Sequence, residues 1–376
     1  MTRPLIYIPI EPITERYTEQ WYRCLPPQFK AAGFDVTVVD GTPLLNNEIK
    51  VGTFLDINST THYKWSQLMQ ISRLFQTGQI ADGSVFFFGD IEFWGLEAVR
   101  LLADMNGVKV KLTGFLHAAS YTFEDAFEVA APYQQYTEVG WIAALDEVYV
   151  GSEYHKHAVV SRRLDPVGAG HLADRIHVTG NPLFMNEYHT FDYGSKQNLI
   201  VLTNRFDQEK RPGDTLDVFE AVKSRVPEWN FAICTSRPTL RSNDPSLEAR
   251  ARYLQNRGVL TIYEGLSKES YHFMLHQARV MVSHSIEEMY GYCIAEALVY
   301  GCAPFLLAGA SHNEMVEYNP SLLFPRHSSV KEQAARLIDL METTISNQTD
   351  VVFDYKAKAA RKAKALTLLT NRLVSL

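Results

Sequence analysis

The sequence predicts an α/β protein with two domains, each built around a parallel β-sheet. The chain has 376 residues, more than one hydrophobic core usually organises. Short apolar runs alternate with longer amphipathic stretches, a pattern typical of parallel α/β units. A turn-rich segment, 180–194, interrupts this pattern, which then restarts. We therefore expect an N-terminal domain over 1–185, a second domain over 186–352, and a C-terminal helix over 353–376 that packs toward the first domain.

The individual elements follow from the same pattern. Twelve short apolar runs are predicted to be strands, at 5–10, 35–39, 85–89, 109–116, 147–151, 175–179, 198–203, 229–234, 259–263, 279–284, 303–307 and 321–324. Amphipathic stretches predict helices at 14–32, 63–77, 96–106, 213–224, 268–277, 291–300, 330–341 and 355–373. Ligands bind at the carboxyl ends of parallel strands, so we expect the functional site in a cleft between two such sheets.

The composition describes a folded globular protein, with 46% hydrophobic and 21% charged residues. The net charge is −7, and it is unevenly spread. Residues 1–190 carry 14 basic and 22 acidic side chains, a balance of −8. This excess disfavours broad electrostatic binding to nucleic acid, which needs a basic face. A cationic pocket for a phosphate-bearing ligand is expected in the second half instead.

Several other classes of protein lack support in the sequence. The N-terminus does not resemble a signal peptide, and no apolar run approaches the roughly 18–20 residues of a membrane helix. Serine-hydrolase and zinc motifs are absent. The cysteines have no metal-ligand spacing, so we expect buried reduced thiols in a cytoplasmic protein that does not contact membranes. They are Cys24, Cys234, Cys293 and Cys302.

The segment 283–298 carries the strongest functional signal. An apolar strand ends in polar residues, passes through Gly291 and opens a helix. The N–H groups and dipole at a helix N-terminus suit a phosphate, and glycine lets a ligand approach the backbone. Glu288 precedes the helix and Glu296 lies inside it, so the two carboxylates could bind two hydroxyl-bearing parts of one ligand. The ordinary alternative is that both are exposed residues of an unremarkable helix.

These residues resemble the E-x7-E motif of retaining glycosyltransferases, in particular glycosyltransferase family 4. The family pattern reads S-x-x-E-x-F-G, then E-A, then G-x-P. It corresponds here to 285–291 with Tyr290 in place of Phe, to Glu296-Ala297, and to 301–304. The resemblance implies the GT-B fold, in which two Rossmann-like domains face each other across a cleft. It also implies a hexosyl- or pentosyltransferase that uses a nucleotide-sugar donor, with UDP-sugar as the first expectation.

The resemblance further implies roles for individual residues. Glu288 would hold hydroxyl groups of the donor sugar, and Glu296 would hold the nucleotide ribose. Backbone amides of Gly291, Tyr292 and Cys293 would contact the sugar or the diphosphate. These residues form the donor-binding prediction, and Glu288 is also a predicted catalytic residue.

A second match lies directly after the first strand of the second half. Arg205 and Lys210 have the spacing of the family's R-x4-K pattern, whose two cations bind the donor diphosphate. Such cations stabilise a leaving diphosphate as its charge develops. The family usually has glycine after the lysine, whereas Arg211 and Pro212 follow here, so the local loop is expected to differ. Arg205 and Lys210 are predicted donor-binding and catalytic residues.

The first half supplies weaker matches. His117 follows a predicted strand, where the family often places a histidine near the donor sugar, and we predict that it is catalytic. Asp90, Glu92 and Glu124 are candidate acceptor contacts. The loop 9–14 holds prolines and a carboxylate where relatives have a glycine-rich loop, which puts the family's acceptor rules in doubt.

The acceptor is open at this stage. Segments 89–97 and 114–123 resemble phage-encoded glycosyltransferases, which implies a 5-hydroxymethylpyrimidine in DNA, although the acidic first half argues against it. A glycan or small molecule is the alternative acceptor. A sugar-nucleotide 2-epimerase of the same fold and a non-catalytic nucleotide-sugar sensor are alternative functions. No Asp-x-Asp motif is present to hold a metal on the diphosphate, so metal-independent action is expected.

Overall fold

The protein divides into two compact units. The computed structural model describes residues 2–44, 56–123, 128–185, 196–346 and 355–376, with only the backbone of 355–363. Unit 1 consists of Met1–Phe184 with Lys364–Leu376, and unit 2 consists of Met185–Ala363. Each unit has its own six-stranded parallel sheet, which confirms the predicted fold class of two Rossmann-like α/β halves. Part of the predicted linker, 186–194, lies outside the described residues.

Unit 1 is built on a sheet with the order β2-β1-β3-β4-β5-β6. Its strands are β1 (Arg3–Ile8), β2 (Phe34–Val38), β3 (Val85–Phe88), β4 (Lys111–Phe115), β5 (Glu147–Val150) and β6 (Ile176–Val178). Its helices are α1 (Tyr17–Ala31), α2 (Ile57–Gln76), α3 (Leu96–Met105), α4 (Ala131–Ala144) and α5 (Glu153–Val159). All four residues of β3 are buried, as expected for a parallel strand covered on both faces.

Unit 2 has the sheet order β12-β11-β10-β7-β8-β9. Its strands are β7 (Gln197–Leu202), β8 (Asn230–Cys234), β9 (Thr261–Tyr263), β10 (Ala278–Ser283), β11 (Ala303–Leu307) and β12 (Leu323–Phe324). Its helices are α6 (Pro212–Lys223), α7 (Pro245–Asn256), α8 (Lys268–Gln277), α9 (Tyr292–Val299), α10 (Ala310–Met315) and α11 (Val330–Ile345). The C-terminal helix is α12 (Tyr355–Ser375).

The strand orders create one crevice at the edge of each sheet. In unit 1 the chain order reverses between the neighbours β1 and β3, and in unit 2 it reverses between β7 and β10. Loops that leave such a pair of strands run in opposite directions, so a crevice opens outside their carboxyl ends. These two switch points are therefore where ligands are expected.

Some helices differ from the sequence prediction. The predicted helix 63–77 begins earlier, at Ile57, because the Asp56 side chain caps it by accepting a hydrogen bond from the Ser59 amide at 2.9 Å. Helices α4, α5, α7 and α10 were not predicted. Helix α4 contains Pro132 and Gly140, which read as turn residues, and α7 buries few apolar residues. Among the described residues, none of the helices combines the length and apolarity needed to cross a membrane.

The end of α12 is part of the core of unit 1. Leu369 and Leu373 are fully buried in the cluster that contains Trp21, Phe87 and Phe115. On the neighbouring helical face, Arg372 Nε donates to Glu147 Oε2 at 2.9 Å. The last residues of the chain thus complete the core formed by the first 184 residues.

Replacing Leu373 with alanine is expected to destabilise unit 1 by about 2–5 kcal/mol, because the change leaves a cavity in a packed core. Leu368→Ala on the same helix is the matched control, since Leu368 is 48% exposed, and should change stability by about 0.5 kcal/mol or less. Urea unfolding followed by tryptophan fluorescence measures both. Equal effects of the two substitutions would contradict this packing.

Candidate functional site

The crevice of unit 2 lies between the loops that follow β7 and β10. The side chain of Asn204 donates to Ser283 Oγ at 2.9 Å and joins the two loops directly beyond the strands. Both side chains are buried. The residues predicted for donor binding follow in these same two loops, so the strand order brings together segments that are about 80 residues apart in the sequence.

Lys210 and Glu288 form an ion pair in this crevice. Lys210 Nζ lies 2.7 Å from Glu288 Oε1 and 3.4 Å from Ser285 Oγ. A short 3-10 turn, Gln208–Lys210, positions the lysine, and Arg211 then adopts a left-handed conformation (φ 50°) before α6 begins at Pro212. Each side chain of the pair keeps some exposure, 15% for Lys210 and 17% for Glu288, so both can contact a ligand.

The electrostatics of Glu288 depend on Lys210. Burial raises the pKa of the Glu288 carboxyl, but the charge of Lys210 and its hydrogen bond more than offset this, so the pKa lies below its usual value. His312 and Arg205 contribute in the same direction. Glu288 is therefore an ionised acceptor at neutral pH, which suits the binding of sugar hydroxyl groups.

Arg205 lies in the same loop but has a different partner. One of its guanidinium nitrogens is 2.7 Å from Glu209 Oε1. Burial raises the pKa of Glu209, although Arg205 and Lys210 both act to lower it. The Arg205 side chain is 34% exposed, so it remains accessible to an anionic ligand.

Gly291 forms the turn between Glu288 and α9. Its φ of 77° lies in the left-handed region, where other residues are strained. An added Cβ would approach Ile294 Cδ1 to 3.0 Å and Met315 Sδ to 3.3 Å. Helix α9 begins immediately afterwards with Tyr292 and Cys293, so the first-turn N–H groups of this helix lie beside the loop that carries Glu288.

Glu296 is a buried side chain of α9, only 3% exposed. It accepts hydrogen bonds from Lys268 Nζ at 2.5 Å and from the Tyr271 hydroxyl at 2.9 Å, both on α8. Burial raises the pKa of Glu296, but Lys268 and His272 together lower it by more. The pKa therefore lies below its usual value. The alternative of an exposed helix-face residue does not describe this position.

Replacing Lys210 with alanine is expected to raise the pKa of Glu288 relative to the wild type, since burial then acts without its main compensation. In the wild-type protein, Glu288 stays ionised as the pH falls until the pH reaches its lowered pKa. In the variant, Glu288 becomes protonated at a higher pH. Carboxyl NMR titration measures both, with Glu288→Gln to assign the signal. An unchanged or lower pKa in Lys210→Ala would contradict the pairing.

In unit 1, His117 follows β4 at the edge where the crevice lies. Its Nε2–H donates to the carbonyl oxygen of Gly89 at 2.8 Å. Burial lowers its pKa, although Asp90 acts to raise it, so the ring is neutral at pH 7. The ring packs against Tyr17 and Trp21, with centroid distances of 5.3 and 4.9 Å.

Asp90 and Glu92 follow β3 and are both buried. Asp90 Oδ2 accepts from Lys64 Nζ at 2.7 Å, and the same ammonium group donates to the carbonyl oxygen of Glu92. Glu124, the third predicted acceptor contact, lies outside the described residues.

Several side chains of these crevices were not predicted from the sequence. They are Lys64, Lys268 and Tyr271, together with Ser285 in its contact with Lys210. Lys268 and Tyr271 are three residues apart and so share a helical face, which was the only available signal. The other contacts depend on tertiary structure. Within the described ranges, no group of three or more His, Cys, Asp and Glu side chains is arranged to hold a metal ion.

Part of the chain matches a known protein family. Residues 190–360, slightly less than half of the chain, match the family described as "Glycosyl transferases group 1". A search of curated protein sequences finds no match.

Solved structures resemble the whole chain at low sequence identity. The α,α-trehalose 6-phosphate synthase of Burkholderia multivorans has 12% identity and a TM-score of 0.65, with coverage of 100% of this chain and 98% of that one. The apo lipopolysaccharide outer core galactosyltransferase WaaB has 14% identity and a TM-score of 0.64, with 99% coverage of both. Sucrose-phosphate synthase of Thermosynechococcus elongatus has 15% identity and a TM-score of 0.58, covering 100% and 94%.

At these identities the structural likeness shows the fold, which is GT-B. Residues 190–360 are similar to the glycosyl transferases group 1 family, and the chain as a whole has the GT-B fold.

Proposed function

We propose that the protein is a retaining glycosyltransferase of the family 4 type, in which unit 2 binds the donor and Lys210 and Glu288 act directly on it. The observation that carries this proposal is the ion pair of 2.7 Å between these residues at the switch point of the sheet. The pair lies in the loops that precede α6 and α9, beside a glycine that permits close backbone approach.

The ion pair suits both parts of the donor. The Lys210 ammonium has three N–H donors, so it can keep its bond to Glu288 and also bind a phosphate oxygen. The Glu288 carboxylate has further lone pairs for sugar hydroxyl groups. Arg205 adds a planar guanidinium that binds phosphate oxygens in pairs. The first-turn amides of α9, at Tyr292 and Cys293, contact the sugar or diphosphate.

Glu296 is proposed to hold the ribose. Oε1 accepts a hydrogen bond from Lys268 and Oε2 accepts one from Tyr271, and a carboxylate oxygen can accept more than one hydrogen bond. Because these two partners fix the carboxylate on α9, it is already oriented for the ribose hydroxyls.

The chemistry follows from charge and position. The leaving diphosphate gains negative charge, which Lys210 and Arg205 stabilise, while the acceptor hydroxyl attacks the anomeric carbon on the same face. His117 is proposed to take part in catalysis, as the family resemblance implies. The two cations provide the leaving-group stabilisation, so metal-independent catalysis is part of the proposal.

The proposed donor is a UDP-hexose. The solved structures similar to this chain include a pneumococcal O-GlcNAc transferase, GtfA, in complex with UDP and GlcNAc, and a UDP-forming trehalose-phosphate synthase from Burkholderia vietnamiensis. A cytoplasmic location is also proposed, since all four cysteines are free thiols, as in a reducing compartment.

Two acceptor classes remain candidates: a 5-hydroxymethylpyrimidine in DNA, and a glycan or small molecule. A 2-epimerase of the same fold is a second candidate function, which the shared nucleotide-sugar ligand supports. Such an enzyme inverts one carbon of the sugar without any acceptor, and where it also releases nucleotide and free sugar, water takes the place of the acceptor, so product analysis separates it from a transferase.

A thermal-shift screen against UDP-, GDP-, ADP- and TDP-linked sugars tests the donor proposal. A ligand at 100 times its dissociation constant adds about 2.7 kcal/mol of stability, which is readily measured. We expect the largest shift with a UDP-sugar, and a smaller shift in Glu288→Ala. No shift with any of the four donors would overturn the proposed function.

A further inference from the structure

The crevice of unit 1 holds a carboxylate that the donor chemistry does not use. Glu11 follows β1, and Asp90 follows the neighbouring strand β3. The two loops approach closely, because the Gly89 amide donates to the carbonyl oxygen of Ile8 at 2.8 Å. A Cβ at Gly89 would lie only 2.8 Å from the Ile10 amide nitrogen. The two carboxylates therefore belong to one switch-point crevice.

Glu11 is 3% exposed, and only one of its oxygens is satisfied. The Thr60 hydroxyl donates to Oε1 at 3.1 Å. Oε2 is buried and accepts no hydrogen bond from any described residue. A buried carboxylate oxygen without a donor is costly, so a group outside the described chain is expected to donate to it.

His117 presents a second unsatisfied atom at the same sheet edge. Its Nε2 carries the proton, because the Gly89 carbonyl oxygen that it contacts can only accept. In the neutral ring, Nδ1 is then a lone-pair acceptor, and this buried atom has no donor among the described residues. The two unsatisfied atoms thus need the same kind of partner, a hydrogen-bond donor.

The buried cation of this crevice is already used. Lys64, 3% exposed, binds Asp90 Oδ2 at 2.7 Å and the Glu92 carbonyl oxygen. Burial lowers the pKa of Lys64, but Asp90, Glu11 and Glu92 together raise it above its usual value. The charges of three carboxylates therefore act on one buried ammonium. The half-buried Arg16 also acts on Tyr17, and with it the three carboxylates still outnumber the two cations.

We propose that Glu11 Oε2 and His117 Nδ1 accept hydrogen bonds from hydroxyl groups of the acceptor, and that this acceptor is an uncharged sugar. Hydroxyl groups supply the missing donors. Phosphate oxygens at neutral pH mainly accept hydrogen bonds, and the excess of carboxylates repels them, so a phosphorylated sugar or DNA is disfavoured. This inference rests on the proposed function, because it assigns the acceptor of the same reaction.

The test is an acceptor panel with the donor found by thermal shift. The panel contains methyl glucoside, methyl galactoside, glucosamine, glucose 6-phosphate and a DNA duplex with 5-hydroxymethylcytosine. We expect transfer to at least one methyl glycoside, with a higher kcat/KM than for glucose 6-phosphate or the duplex. Glucosamine, which carries a positive charge, separates a requirement for hydroxyl groups from a preference for a cation. A higher kcat/KM for glucosamine than for both methyl glycosides would overturn the proposal that the acceptor is uncharged.

Glu11→Gln should raise the KM for the glycoside about 10- to 100-fold, the effect of losing a hydrogen bond to a charged group. The glutamine can still accept from Thr60, and it places an amide donor or a neutral oxygen where Oε2 stood. The matched control is Asp104→Asn, because Asp104 is an exposed carboxylate near the C-terminal end of α3. This substitution should leave KM unchanged. The thermal shift caused by the donor should be the same in all three proteins, which shows that the fold is intact.

Transfer only to glucose 6-phosphate or to the duplex would overturn the inference, as would an unchanged KM in Glu11→Gln. Donor binding without transfer to either methyl glycoside would also overturn the inference about the acceptor, but it would still support the proposed donor site. Absence of any donor-induced thermal shift would instead overturn the proposed function itself, so the two failures are distinguishable.

Discussion

Lys210→Ala is expected to lower kcat by about 10²- to 10³-fold, with the fold intact. The ammonium group is 2.7 Å from Glu288 in unit 2 and is proposed to stabilise the diphosphate as it leaves. Removing a charge that acts mainly in the transition state lowers kcat more than it raises KM. Initial rates at saturating donor, measured at a pH well above the titration of Glu288, give this effect.

The control for this variant is Lys331→Ala, since Lys331 is an exposed lysine in the first turn of α11. It should retain the wild-type rate. A wild-type kcat in folded Lys210→Ala would contradict the role assigned to Lys210 and would leave Arg205 as the sole cation proposed for the diphosphate.

Glu288→Ala is expected to lower kcat/KM by a similar factor, about 10²- to 10³-fold. The ionised carboxylate is proposed to bind donor sugar hydroxyls, and its loss also leaves Lys210 without its partner. Steady-state kinetics with varied donor measure the effect. Glu342→Ala, an exposed carboxylate on α11, is the control and should behave as the wild type.

The two substitutions should not be additive. Lys210 and Glu288 are in direct contact, so the double variant is expected to lose less activity than the product of the single losses. Additive losses in a double-mutant cycle would mean that the two side chains act on the donor independently, contrary to the proposed ion pair.

Much of the fold could be predicted from the sequence because the strands are short, continuous apolar runs. Each of the twelve predicted strands overlaps an observed one, including β10, whose six residues are all buried. Helices were harder to predict where the local signal was mixed. Helix α4 contains a proline and a glycine, and burial of Trp141 and Ile142 stabilises it through tertiary packing.

The candidate site was predictable where it lies in contiguous motifs, as with Glu288, Gly291 and Glu296. Its partners were not. Lys268 and Tyr271 reach Glu296 from another helix, and Lys64 reaches Asp90 across 26 residues. Such contacts depend on the strand order, which joins loops that are distant in the sequence. The structure therefore adds the partners that lower the pKa values of Glu288 and Glu296.

The most direct test of the retaining mechanism is ¹H NMR of the product formed from an α-linked UDP-sugar and the acceptor identified in the panel. The account predicts a new α-glycosidic bond, seen from the anomeric coupling, with one UDP released for each sugar transferred. A β-glycosidic product would contradict retention, and UDP release without any glycoside would contradict transfer.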